Sequence, residues 1–115
     1  MKIKRAFCIN RKFEIYYSNV EKLDDNVSII SYKSKNNKQL KTKLETLHKC
    51  KIFNYEIVDN YTGIAVLCSD SKKELIENWN KYVCEKYYNF INDKNNKEFL
   101  EEQHKILENG EVQEC

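Results

Sequence analysis

The sequence predicts an α+β domain: two layers, with a mainly antiparallel sheet of about five strands and helices packed on one face. Three observations carry that reading. Short stretches alternate apolar and polar residues at the period of a strand, as in Ile3, Phe7 and Ile9, then Phe13, Ile15 and Tyr17. Other stretches repeat apolar residues at helical spacing, as in Leu40, Leu44 and Leu47. The two kinds follow one another as β-β-β-α-β-β-α-α, an order that suits an antiparallel sheet carrying helices on one side.

The first two strands, 3–9 and 12–17, make a hairpin about Asn10-Arg11, since asparagine tolerates positive φ. Residues 19–27, NVEKLDDNV, read as a polar loop with a turn signal at Asp24-Asp25-Asn26. VSIISY at 27–32 is rich in β-branched residues and forms the third strand. The helix after it starts near Asn36 or Asn37, either of which can cap its first turn, and turns Leu40, Leu44 and Leu47 inward. IFNYEIV at 52–58 alternates again and puts Phe53, Tyr55 and Ile57 on one face. IAVLC at 64–68 is a short apolar run that suits a central strand, reached through DNYTG with Gly63 free to take positive φ.

Ser71 to Glu74 reads as a capping box: the serine oxygen accepts from the Glu74 N–H, and Glu74 reaches back. The helix it opens runs to about Phe90–Asn92, with an apolar stripe of Leu75, Ile76, Trp79, Tyr82, Val83, Tyr87, Phe90 and Ile91. NDKNN at 92–96 breaks it. A last helix restarts with Phe99, Leu100, Gln103, Ile106 and Leu107, and Gly110 follows its end. Residues 1–115 form one domain, with 111–115 a frayed tail.

Composition limits the function. Lysine outnumbers arginine 18 to 2, and there are 14 Asn, 11 Ile and 8 Tyr. These are residues of A/T-rich codons, so the bias needs no function to explain it. Arginine, the better partner for phosphate and guanine, is nearly absent. Residues 1–58 carry a net +7 and residues 59–115 a net −5, which polarises the chain and bears on its partners. Five cysteines without a C-x-x-C do not suggest a disulfide framework or a zinc ribbon. The basic N-terminus loses its apolar character at Asn10-Arg11-Lys12, and no apolar run approaches the ~18 residues of a membrane span. A cytoplasmic protein without a membrane partner is expected.

Chemistry has few footholds. With glycine only at 63 and 110, neither a phosphate-binding loop nor a dinucleotide fingerprint can form. His48 and Cys50 are too close in sequence to face one another on a helix. Asp24 and Asp25 read as a turn; Asp59 and Asp70 flank the strand at 64–68, and Asp70 is more simply part of the next helix's start signal. No catalytic, cofactor or metal site is expected. The expected function is a small non-catalytic interaction protein, of the kind a phage or mobile element uses to inhibit a host defence protein or nucleoprotein complex. Self-association between the two charge poles is compatible with it. The contact candidates are Lys33, Lys35, Lys38, Lys41 and Lys43 at the basic pole, Tyr16 and Tyr32 on the sheet, and Glu98, Glu101, Glu102 and Glu108 at the acidic pole. The alternatives are a nucleic-acid binder using residues 31–43 and the N-terminal hairpin, and a small enzyme built on His48, Cys50 or Asp59.

Overall fold

The computed structural model describes residues 20–33, 35–49 and 51–109. Its strands are β1 (Val20–Lys22), β2 (Val27–Ser31), β3 (Tyr55–Asp59) and β4 (Ala65–Ser69). They form one antiparallel sheet in the order β1-β2-β3-β4. Helix α1 (Lys35–His48) is the excursion between β2 and β3, which nevertheless lie side by side. After β4 come α2 (Lys72–Asn78), a π-helical segment (Trp79–Val83), α3 (Cys84–Asn92), a 3-10 turn (Lys94–Asn96) and α4 (Lys97–Asn109). The fold is α+β, as the sequence predicts. No helix among the described residues is long and apolar enough to cross a membrane.

The sheet departs from expectation at its first edge. Residues 20–22 were expected to lie in a loop, but they pair as a strand, with Val20 opposite Ile30 and Lys22 opposite Ser28. The physical reason lies in β2. Val27, Ser28, Ile29 and Ile30 are all buried, so the strand needs hydrogen-bonded neighbours on both sides. An edge strand can supply those bonds while keeping charged side chains in water. The described sheet therefore has four strands against the five expected, and the predicted hairpin at 3–17 lies outside the described residues.

The turn expected at Asp24 is present. Asp24 Oδ1 accepts from the N–H groups of Asn26 (2.8 Å) and Val27 (3.1 Å). Gly63 takes φ 73° between β3 and β4, where its N–H reaches the Asp59 carbonyl at 2.8 Å. Val66 is an extra residue in β4, since Ile57 pairs with Leu67 and Val58 with Ala65. Helix α1 ends on Lys49 at φ 52°, a left-handed terminus made without glycine. Its side chains Glu45 and Lys41 hold the chain entering β3, through the Ile52 N–H (3.0 Å) and the Asn54 side-chain oxygen (3.1 Å). Side chains of Leu40, Leu44 and Leu47 lie outside the described residues, as do Leu107 and Gly110.

Half of the predicted capping box forms. Ser71 Oγ accepts from the Glu74 N–H at 3.3 Å, but the Ser71 N–H donates to Ser69 Oγ at 3.1 Å instead of to Glu74. The core cluster joins Val27, Ile29 and Ile57 of the sheet to Leu75, Trp79 and Tyr87 of the helices. In a straight α-helix the eight-residue step from Trp79 to Tyr87 rotates by about 80°. The π segment holds an extra residue in its turn and takes up most of that rotation, so both rings face the sheet. Their centroids lie 5.4 Å apart. Asp93 then stops α3 and caps the 3-10 turn, accepting from the Asn95 N–H at 2.9 Å. This is the break expected at 92–96, and Gln103 is buried on the inner stripe of α4 as expected.

Truncation should follow this map. In chemical denaturation, Leu75→Ala should cost about 2–5 kcal/mol and Trp79→Ala about 3–5 kcal/mol. Asn80→Ala, at an exposed position of the same helical run, should stay within about 0.5 kcal/mol. Equal losses at all three positions would contradict the assignment of the buried stripe.

Candidate functional site

Two turns of the sheet lie against each other, and two neighbouring tyrosines of α3 reach both. The Asn60 N–H donates to the Asn26 carbonyl at 2.8 Å, and Ser28 Oγ donates to Asn60 Oδ1 at 2.7 Å. These bonds tie the β1–β2 turn to the β3–β4 turn. Asp59 anchors the second turn from a buried position. Its Oδ1 accepts from the N–H groups of Tyr61 (2.9 Å) and Thr62 (2.8 Å) and from Thr62 Oγ1 (3.1 Å). Its Oδ2 accepts the hydroxyl of Tyr87, and Asp24 Oδ2 accepts the hydroxyl of Tyr88.

The electrostatics follow from these bonds. Burial raises the Asp24 carboxyl, but the Tyr88 hydroxyl, the Asn26 and Val27 N–H groups and the Lys22 charge outweigh it and hold the group below its ordinary value. Burial also pushes the Tyr87 phenol far above its ordinary value, helped by its bond to the Asp59 carboxylate. Tyr88 moves the same way, from burial and then from its bond to Asp24. At the opposite end of β4, the Lys51 ammonium at 2.9 Å and the Asn54 N–H at 3.0 Å hold Asp70 low. Asp24, Asp59 and Asp70 thus act as acceptors that fix turns. Among the described residues no three His, Cys, Asp or Glu side chains converge as a metal site.

Two clefts adjoin this anchored region and share Asp59, Ile91 and Leu100 as a wall. One, of about 620 Å³, is bordered by the polar side chains Asn26, Asn60, Asn92, Lys94 and Lys97. The other, of about 470 Å³, is apolar and lies between Ile64–Val66 and the helices. Tyr82, Phe90 and Phe99 line it while remaining 58%, 43% and 36% exposed. Phe90 and Phe99 meet edge to face at 6.2 Å. Helix α4 is held against the β3–β4 turn by Tyr61. The Tyr61 ring stacks on His104 at 3.8 Å, its carbonyl meets His104 Nδ1 at 2.8 Å, and its hydroxyl donates to Glu101 at 2.9 Å.

The contact residues expected from sequence do not gather here. Lys33 lies 5.5 Å above the Tyr55 ring, Lys38 and Lys43 are exposed on α1, and Lys41 is turned toward Asn54. Tyr32 is fully buried, so it offers no stacking face to a partner. Glu98, Glu101 and Glu102 are exposed on α4, with Glu101 engaged by Tyr61. Tyr16 and Cys50, and the side chains of Lys35, His48 and Glu108, lie outside the described residues. The aromatic rim is hidden in the sequence because Tyr82 and Phe90 fall in the expected inward stripe of the α2–α3 helix, and Phe99 in that of α4. The signal was the width of the first stripe, whose eight apolar positions exceed one buried helical face.

The tyrosine anchors have a pH signature. A raised phenol stabilises the fold fully below its unfolded value of about 10, and that contribution is lost as pH rises through the folded value. Tyrosinate absorbance should therefore show Tyr87 and Tyr88 ionising after exposed tyrosines, and the stability gap between wild type and Tyr87→Phe should close above about pH 10. Asp24 has the opposite sign. Its contribution is present above about pH 3.9 and is lost as pH falls through the lower folded value, so the gap to Asp24→Asn should close in acid. Gaps that do not change with pH would contradict both anchors. No protein-family model, curated protein or solved structure matches this chain, so the reading of the site rests on its own geometry.

Proposed function

We propose that this chain is a non-catalytic binding protein that engages a protein partner through the aromatic-rimmed cleft. The observation that carries the proposal is the exposure of Tyr82, Phe90 and Phe99 around one apolar depression. Large aromatic side chains left partly in water around a concave surface are what interface anchors look like before binding. The carboxylates beside the cleft support a non-catalytic role, because Asp59 already accepts four hydrogen bonds and Asp24 three. A cytoplasmic setting, and a role as a phage or mobile-element inhibitor of a host complex, fit the A/T-codon composition and the charge polarity.

A second reading has its own observation. Lys33 lies over Tyr55, and Lys51 lies 4.6 Å from the Phe53 ring centre, which puts cations and half-buried rings together where the chain enters β3. Lysine beside aromatic rings is a means of binding single-stranded nucleic acid. It ranks second because Lys51 is also paired with Asp70, Lys41 with Asn54, and arginine is scarce.

The test is affinity capture from extract of the source cells with wild type and a Tyr82→Ser/Phe90→Ser variant whose circular dichroism matches wild type. A protein captured by wild type and reduced about tenfold or more on the variant is the expected result. Equal capture by both would overturn the cleft as the contact. Capture of nucleic acid that falls steeply with salt and ignores the variant would favour the second reading.

A further inference from the structure

We infer that the partner enters the apolar cleft as an extended polypeptide segment that pairs along β4 and carries an acidic side chain to Lys86. The inference rests on the protein-binding reading above and names the chemistry of the partner.

The cleft's own polar groups set the requirement. Asp59, Thr62 and Tyr87 line it, but all three are engaged with one another. Thr62 Oγ1 also accepts from the Ile64 N–H at 3.3 Å. Lys86 is the remaining charged group on the lining, and among the described residues it makes no hydrogen bond, ion pair or ring contact. An uncompensated ammonium beside aromatic walls favours an incoming carboxylate and disfavours a second cation. A second lysine lies near one lining residue, since Lys81 Nζ is 5.2 Å from the centre of the Tyr82 ring.

The backbone favours a polypeptide over another apolar anion. β4 is an edge of the described sheet, and its residues Ala65 and Val66 are also part of the cleft lining. A strand laid along that edge gains main-chain hydrogen bonds and sends alternate side chains sideways into the cleft. A fatty acid would fill the apolar space and meet Lys86 but has no main chain to pair beside Ala65 and Val66.

The experiment is selection of a displayed library of random dodecapeptides on the full-length protein, on Lys86→Glu and on Phe90→Ser. Binding of synthetic versions of the selected peptides is then measured by fluorescence anisotropy. Lys86 is exposed, so Lys86→Glu should keep the wild-type circular dichroism and melting curve. Wild type should enrich peptides with Asp or Glu at a fixed spacing from an apolar residue. Those peptides should weaken by about tenfold on Lys86→Glu. Selection on Lys86→Glu should instead enrich Lys or Arg at that position. Peptides that fail on Phe90→Ser but ignore Lys86→Glu would keep the cleft as the binding surface and overturn the acidic requirement. Peptides that ignore both variants would overturn the cleft as well. No selected peptide, with Lys86-dependent binding of dodecanoate, would overturn the polypeptide assignment in favour of a small amphiphile.

Discussion

Two adjacent phenol hydroxyls hold this domain in register. Tyr87 and Tyr88 follow one another on α3, yet each donates to an aspartate in a different turn of the sheet. Adjacent helical residues point about 100° apart, so one helix can reach both turns only where the turns themselves lie close together. The register of β2 and β3 places Val27 opposite Asp59, and the Asn26–Asn60 and Ser28–Asn60 bonds draw the turns together. Each aspartate then serves twice, satisfying backbone N–H groups in its own turn and receiving a hydroxyl from the helix. A hydrogen bond to a charged acceptor is worth about 1.5–3 kcal/mol, a large share of the stability of a small domain.

That constraint governs the helix and, through it, the cleft. Tyr87 must face Asp59 while Trp79, eight residues earlier, packs on the same sheet. The π segment between them reconciles the two demands by absorbing a residue. Its consequence on the other side of the helix is that Tyr82 falls outside the buried stripe and stands on the cleft rim. The anchors also remove polar groups from the cleft, because Asp59, Thr62 and Tyr87 face one another and leave apolar walls with Lys86 among them. The same bonds that order the sheet therefore define the character of the candidate binding surface.

Much of the architecture is legible in the residues. β2, β3, β4 and the three main helical runs follow from period and β-branching, and the breaks at Asp24–Asn26 and 92–96 follow from Asp and Asn. What pattern cannot see is pairing over distance. β1 is hidden because an edge strand needs no apolar alternation, only a partner with unpaired backbone. The capping box at Ser71 is half right because Ser69, a strand residue outside the motif, competes for the same N–H. Tyr87 reads only as a member of the apolar stripe, and Tyr88 as part of a tyrosine-rich composition, until the fold brings Asp59 and Asp24 to them. The cleft is hardest to read, since Tyr82, Phe90 and Phe99 have the composition of a core yet stand partly exposed on its rim.

Tyr87 and Asp59 stabilise the fold through each other. A double-mutant cycle with Tyr87→Phe, Asp59→Asn and the combined variant, followed by urea denaturation at neutral pH, measures that directly. A coupling of about 1–3 kcal/mol is expected, with the double variant little worse than the poorer single one. Two losses that simply add would mean that the helix is held by packing alone, and would contradict the tyrosine–aspartate anchor.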